Sequence, residues 1–239
     1  MKALLPGVLL ALTASWASAA GINMFWDDCG PAGTTAKTFA CDSNSGNHDI
    51  FISFDPPQQI PQLVGNTQVI DIFVPGSNLP DWWQFKNAGS CRQLSLTTPN
   101  IGPGSCVDTW AGQDLPSIAA YLNTANTPWM APNRARLIGS TAVSNAAAVA
   151  VDPGTEYYSM AIRINSSKTV GTGACAGCSS GVCLFLTEIT LTDTNSNTYF
   201  VNSILNSNFM VWQEPWIGGP GCFVPTTNKT WGQVKSIYR

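Results

Sequence analysis

The chain has 239 residues, only 10% of them charged, and a formal net charge of −3 at neutral pH. So few lysines and arginines leave no basic surface to hold a phosphate backbone, which excludes nucleic acid as a partner. The same scarcity of charge, beside 21 glycines and 16 prolines, is the turn-rich balance of an all-β protein rather than a helical one.

Residues 1–20 have the form of an export signal. Lys2 supplies the positive start, Leu4–Thr13 the apolar stretch, and Ala17-Ser18-Ala19 the small residues of a cleavage site. A lipoprotein leader needs a cysteine just past the cut, whereas the first cysteine is Cys29. The longest later apolar run, Ala142–Val151, is interrupted by Ser144 and Asn145 and is too short to span a membrane. A secreted or cell-surface protein is therefore expected, without a transmembrane segment after cleavage. Residues 21–239 show no internal repeat or composition shift and are expected to form a single domain.

Gly21–Trp26 reads as a short first strand ended by Asp27-Asp28-Cys29-Gly30-Pro31. Asp49–Phe54 follows, with Ile50, Ile52 and Phe54 on one face, and Asp55-Pro56-Pro57 stops it because proline donates nothing to a ladder. Gln68–Val74 is a third strand. Leu79–Phe85 sets Trp82 beside Trp83; taken as a strand, it would turn one of the two indoles out of the core. Gln93–Thr97 and Arg134–Ser140 continue the β pattern, and Ile118–Leu122 is either a strand or one helical turn. Thr155–Ile164 and Leu184–Asp193 alternate most clearly, and Thr194-Asn195-Ser196-Asn197 turns the chain into Thr198–Val201. Pro215–Pro225 reads as covering loop.

Eight cysteines in an exported chain imply a disulfide framework. Three lie within Ala174–Cys183, between the two strongest strands, and there they read as a staple at a crossover. Cys29 with Cys41 and Cys91 with Cys106 flank loops and are expected to pair locally. Cys175 with Cys183 would close the crossover, and Cys178 with Cys222 would tie it to the C-terminal segment. Residues 228–239 differ in character. Thr230 with Gln233 has the form of a capping box, and Trp231, Val234 and Tyr238 recur at helical spacing, which predicts a short amphipathic helix acting as a docking tail.

Several segments, W-D-D-C-G, L-P-x-W-W-Q-F-K-N-A-G-S-C-R, D-P-G-T-E-Y-Y, K-T-V-G-T-G-A-C-A-G-C and T-W-G-Q-V-K-S-I-Y-R, look like those of a family of uncharacterised secreted bacterial proteins. That resemblance implies no activity. D-P-G-T-E-Y-Y and L-T-E-I-T-L-T-D-T-N-S-N are also similar, more faintly, to cohesin-like and carbohydrate-binding β-sandwiches. This implies a two-sheet β-sandwich, cohesin-like or jelly-roll-like, with long disulfide-stapled loops. Cohesins bind dockerins, but no residue-level match carries that activity here.

His48 is the single histidine, and any Ser-His-Asp or Cys-His site would have to use it. It stands in S-G-N-H-D-I, which reads as an exposed turn. Cys175-x-x-Cys178 has zinc-ligand spacing, but there is no second such pair and no histidine pair, so neither metal nor cofactor is expected. Asp193–Asn197 offers alternating oxygens without the rest of a calcium loop. Glu156 and Glu188 are the carboxylates to test for a β-sandwich glycosidase. Trp82, Trp83, Trp110 and Trp129 are candidates for an aromatic surface that stacks on sugars; Trp212 and Trp216 extend the set. The expected function is a non-catalytic structural or protein-interaction domain, through an extracellular partner or self-association. Carbohydrate binding is the first alternative and hydrolysis by Glu156 and Glu188 the second.

Overall fold

The computed structural model describes residues 20–85, 89–102 and 104–213. The leader, Cys222, Trp216 and the expected C-terminal helix with Trp231, Val234 and Tyr238 lie outside the described residues. In chain order the strands are β1 (Gly21–Trp26), β2 (Ala36–Lys37), β3 (Asn47–Asp55), β4 (Ile60–Phe73), β5 (Leu96–Thr97) and β6 (Leu115–Asn123), followed by β7 (Arg134–Ala142), β8 (Val149–Val151), β9 (Tyr157–Asn165), β10 (Val182–Asp193), β11 (Thr198–Val201) and β12 (Phe209–Trp212). They form a two-sheet β-sandwich. One sheet has the order β1-β3-β9-β5. The other runs β2-β12-β10-β4-β7-β6, with β11 paired to β10 and β8 paired to β4.

Period-two patterning decides which residues meet between the sheets. Ile22, Met24 and Trp26 of β1, Ile50, Ile52 and Phe54 of β3, and Met160, Ile162 and Ile164 of β9 point inward. They pack against Ile70 and Ile72 of β4 and Leu184, Leu186, Ile189 and Leu191 of β10 in one core. Outward positions carry the ion pairs that set register. Asp71 lies opposite Arg136 and Asp49 opposite Arg163, and each pair makes two hydrogen bonds of 2.6–2.9 Å. The strand β4 begins eight residues before the expected Gln68, running through Pro61, Gly65 and Asn66. Proline sits where pairing is irregular, between Ile60 and Leu63. Gly65 is required by close approach, because a Cβ there would lie 2.9 Å from the carbonyl of Thr141.

Trp82 and Trp83 are both buried, contrary to the strand-based expectation. They occupy a 3-10 turn, Asp81–Trp83, whose tight winding does not send successive side chains to opposite faces. Both indoles reach Trp212, at centroid distances of 4.8 and 5.4 Å. Trp212 stacks in turn on Phe39 at 3.9 Å. An aromatic core thus fills one end of the sandwich.

All four expected cysteine pairings are corrected. The bridges are Cys29–Cys106, Cys41–Cys178 and Cys91–Cys175. Cys183 is disulfide-bonded as well. Local pairing fails because the topology brings together loops that are remote in sequence. The crossover from β9 in one sheet to β10 in the other passes over the aromatic core, and Cys175 and Cys178 clasp two different loops to it. Trp82 donates its backbone N–H to Ala176 and Trp212 donates its indole N–H to Cys178, both onto crossover carbonyls.

Gln93–Thr97 shortens to β5 because Cys91–Leu94 is a turn. Leu94 takes φ +72° and Ser95 donates back to the carbonyl of Arg92. Residues 118–122 are strand, within β6.

Candidate functional site

The two carboxylates expected as a glycosidase pair are separated by the whole sandwich. Glu156 lies on the outer face of the four-stranded sheet, where its Oε1 accepts hydrogen bonds from Asn23 Nδ2 at 2.7 Å and Ser53 Oγ at 2.5 Å. Glu188 projects from the outer face of the eight-stranded sheet, beside the Arg136 of the Asp71 ion pair. Strands β9 and β10 are consecutive in sequence but belong to different sheets, so the pair is not assembled.

His48 is not an exposed-loop residue. It opens β3 half-buried, edge-on to Phe39 at 4.3 Å and to Trp212 at 4.9 Å, with Nε2 3.0 Å from Ser166 Oγ. Burial, then the charges of Lys37 and Arg92, push its pKa down to about 4. This is a neutral ring packed against the aromatic core, with a serine for a neighbour and no carboxylate hydrogen-bonded to it among the described residues.

The Asp193 turn spends its oxygens on itself. Oδ1 accepts the backbone N–H groups of Asn195 and Asn197, and Oδ2 accepts Asn197 Nδ2 and the Tyr199 hydroxyl, all at 2.8–3.0 Å. These bonds, the Asn197 side chain foremost, hold the carboxyl below the usual range. Both oxygens are thus engaged in closing the β10–β11 hairpin. Among the described residues no three His, Cys, Asp or Glu side chains cluster as metal ligands.

Of the expected aromatic surface, Trp82, Trp83 and Trp110 are buried and only Trp129 is exposed, at 87%. Trp212 is buried too. For Trp82, Trp83 and Trp212 the reason is the fold's end-on aromatic core, which takes in indoles that a sandwich of strands alone would leave outside. Trp129 rides the β6–β7 loop.

Two surface features were not legible in the sequence. The first is a groove of about 390 Å³ between the terminal strands of the two sheets, lined by Leu94, Leu96 and Thr97 on the β5 side and Pro116, Ser117 and Ile118 on the β6 side. Leu94 is 74% exposed within this lining, and Leu115, which precedes Pro116 in β6, is 77% exposed. Thr98 Oγ1 donates to the carbonyl of Pro116 at 3.0 Å and ties the two edges together. The second is a smaller groove of about 210 Å³ beside the Trp129 loop, lined by Asn78, Leu79, Gln84, Asn123, Thr124 and Pro132 among others. No pattern of spacing announces either feature, since each depends on which strands end a sheet and which loops meet.

Among the described residues no helix is long and apolar enough to cross a membrane. No protein-family model matches the chain, and no curated protein matches it. Solved structures similar to it include the cohesin module of a family 33 glycoside hydrolase from Clostridium perfringens, at 9% identity over 82% of this chain and 98% of that one, with a TM-score of 0.38. The second type II cohesin module of the adaptor scaffoldin ScaA of Acetivibrio cellulolyticus matches at 9% identity over 82% and 92%, with a TM-score of 0.33. A type II cohesin domain from the cellulosome of the same organism matches at 9% identity over 80% and 94%, with a TM-score of 0.34. At such identities and scores, no residue role or ligand passes from those modules to this chain.

Proposed function

We propose that the chain is a non-catalytic, exported interaction domain that receives an extended segment of a partner protein in the groove between β5 and β6. The observation that carries this reading is the groove itself, to which Leu94, Leu96, Pro116 and Ile118 bring apolar surface, with Leu94 three-quarters exposed in its lining and the equally exposed Leu115 next to Pro116 in β6. Exposed large apolar side chains beside a concavity mark an interaction site more than a solvated surface. Both flanking strands end their sheets among the described residues, and although Thr98 already takes the Pro116 carbonyl, the groove between them can take side chains of an extended segment. Disulfides are at home in an oxidising compartment, which supports secretion or display at the cell surface. On this reading residues 1–20 are the leader, 21–239 the mature domain, and 228–239, with Trp231, Val234 and Tyr238, an accessory docking tail.

Panning a displayed random-peptide library on the mature protein tests the proposal. Peptides with apolar residues at alternate positions should be enriched, and the enrichment should vanish for Leu94→Asp/Leu115→Asp at an unchanged melting temperature. No enrichment, or enrichment indifferent to that double substitution, would overturn it. Sedimentation velocity over a range of concentrations separates a heterologous partner from a second copy of the chain.

A further inference from the structure

The Trp129 loop joins β6 to β7 at the end of β6 opposite Leu115, and its conformation is fixed by a mesh of hydrogen bonds. Asn123 N–H donates to Asn126 Oδ1 at 2.8 Å, Ala125 N–H to Asn123 Oδ1 at 3.0 Å, and Asn126 Nδ2 to the carbonyl of Tyr121 at 2.8 Å. Thr124 Oγ1 crosses the loop to the carbonyl of Met130, the residue after Trp129. At its far end Asn133 exchanges hydrogen bonds with the backbone of Val74, and the carbonyl of Pro132 accepts from Leu79 N–H. An indole held in water on a braced loop costs hydration free energy that folding does not recover, and rigid aromatic area is what a binding site uses.

The same loop contributes Thr124, Ala125 and Pro132 to the lining of the 210 Å³ groove. Among the described residues its lining holds three planar amides, Asn78, Gln84 and Asn123, and no charged side chain. Gln84 Nε2 donates to the carbonyl of Leu79 and to Asp81 Oδ1, and Asn78 Nδ2 donates to Ser77 Oγ. Among the described residues, the side-chain carbonyls of Asn78 and Gln84 accept no hydrogen bond. The volume is below the roughly 300–1,000 Å³ of sites that enclose a drug-sized ligand, and it suits a small ring held at an open surface.

We infer that Trp129 and this groove form a binding site for neutral oligosaccharides. A pyranose presents one face of C–H groups that stacks on an indole and a rim of hydroxyls that donate to amide carbonyls and accept from amide nitrogens. The site supplies both halves, with one ring seated among Asn78, Gln84 and Thr124 and the neighbouring ring against Trp129. The Asp81 carboxylate, hydrogen-bonded to Gln84, repels uronic acids and sulfated chains and so favours neutral sugars. The site stands apart from the β5–β6 groove and does not depend on it.

The test is a microarray of neutral oligosaccharides, including cellohexaose, xylohexaose and chitohexaose, followed by calorimetry of the mature protein with the strongest binder. At least one neutral oligosaccharide should bind. Trp129→Ala should weaken it at least about tenfold, or 1.4 kcal/mol, at an unchanged melting temperature. Trp129→Tyr should retain part of the affinity, Asn78→Ala and Gln84→Ala should each reduce it, and Leu94→Asp/Leu115→Asp should leave it intact. A silent array at millimolar sugar, or binding that survives Trp129→Ala, would overturn the inference. So would loss of peptide enrichment in Trp129→Ala without any glycan signal, which would assign the loop to a protein partner instead.

Discussion

The guanidinium carbon of Arg92 lies 3.5 Å from the centre of the Trp82 ring, and neither side chain is exposed. Arg92 donates to the carbonyls of Trp82 and Asn165, and burial pushes its pKa down to about 9. The cation therefore joins the 3-10 turn to the end of β9 beneath the Cys91–Cys175 bridge. A lysine at this position would lose the flat stacking face and one of the two carbonyl bonds. Arg92→Lys is expected to destabilise by about 2–4 kcal/mol, read as a lower urea midpoint at an unchanged slope. A midpoint equal to that of the wild type would show that this contact contributes little.

The disulfides set a second expectation. A non-reducing digest should yield linked peptides for Cys29–Cys106, Cys41–Cys178 and Cys91–Cys175. The Cys41–Cys178 bridge spans 137 residues of sequence. In the chain-entropy account, closing so long a loop is worth about 4–5 kcal/mol. The pair Cys41→Ser/Cys178→Ser should thus lower the melting temperature more than any single surface substitution, and local Cys29–Cys41 peptides in the digest would refute the topology.

Acid should weaken the fold in a defined window. His48 titrates near 6.5 in an unfolded chain and at about 4 when folded, so the fold favours its neutral form. Its contribution is complete above the unfolded value and is lost as the pH falls from about 6.5 through 4. His48→Gln should flatten the fall in melting temperature between those limits. A variant with the same slope as the wild type would place the acid sensitivity elsewhere, in groups such as Asp193, whose depressed carboxyl acts in the same direction at lower pH.

Asp114 should behave in the opposite sense. It is buried, and burial, with Asp108 adding to it, raises its carboxyl above the usual range against a hydrogen bond from its own backbone. The charged form is therefore a liability near neutrality that fades as the pH falls and the group takes up a proton. Asp114→Asn should raise the melting temperature at pH 7 and make little difference at pH 3. A lower melting temperature at pH 7 would mean that the carboxylate has a stabilising partner.

Local alternation made most of the sandwich legible. β1 and β11 run where their patterns end, β3 and β10 extend by one or two residues, and β9 begins two residues later and ends one later than its pattern, because each is bounded by Gly, Pro or Asn. β12 escaped notice because Phe209–Trp212 is apolar on both faces and too short to show a period. The disulfide partners were illegible for another reason. Cys175 and Cys178 are three residues apart yet reach Cys91 and Cys41, and only the crossover between sheets decides that. Burial of Trp82 and Trp83 likewise turned on a 3-10 turn where a strand was expected. Of the candidate sites, sequence supplied Trp129 but not Asn78 and Gln84 beside it. It gave no sign that Leu94 and Pro116 share one groove at an edge of the sandwich, because sheet order is a tertiary property.

The last expectation concerns whether Glu156 does chemistry or holds the fold. Gly30 follows Cys29 with φ +51°, a conformation that disfavours a side chain, and a Cβ there would lie 2.8 Å from Glu156 Oε2. The loop that carries the Cys29–Cys106 bridge therefore closes directly onto the carboxylate, whose other oxygen is taken by Asn23 and Ser53. Gly30→Ala should destabilise by about 1–3 kcal/mol from backbone strain and the clash together. Glu156→Ala should also destabilise, because it leaves the buried side chains of Asn23 and Ser53 without their acceptor. The clash is absent once the carboxylate is gone, so the double variant should be less destabilised than the sum of the singles, by about 0.5–3 kcal/mol of coupling. Additive losses would place Glu156 away from Gly30 in solution and reopen a role for its carboxylate beyond packing.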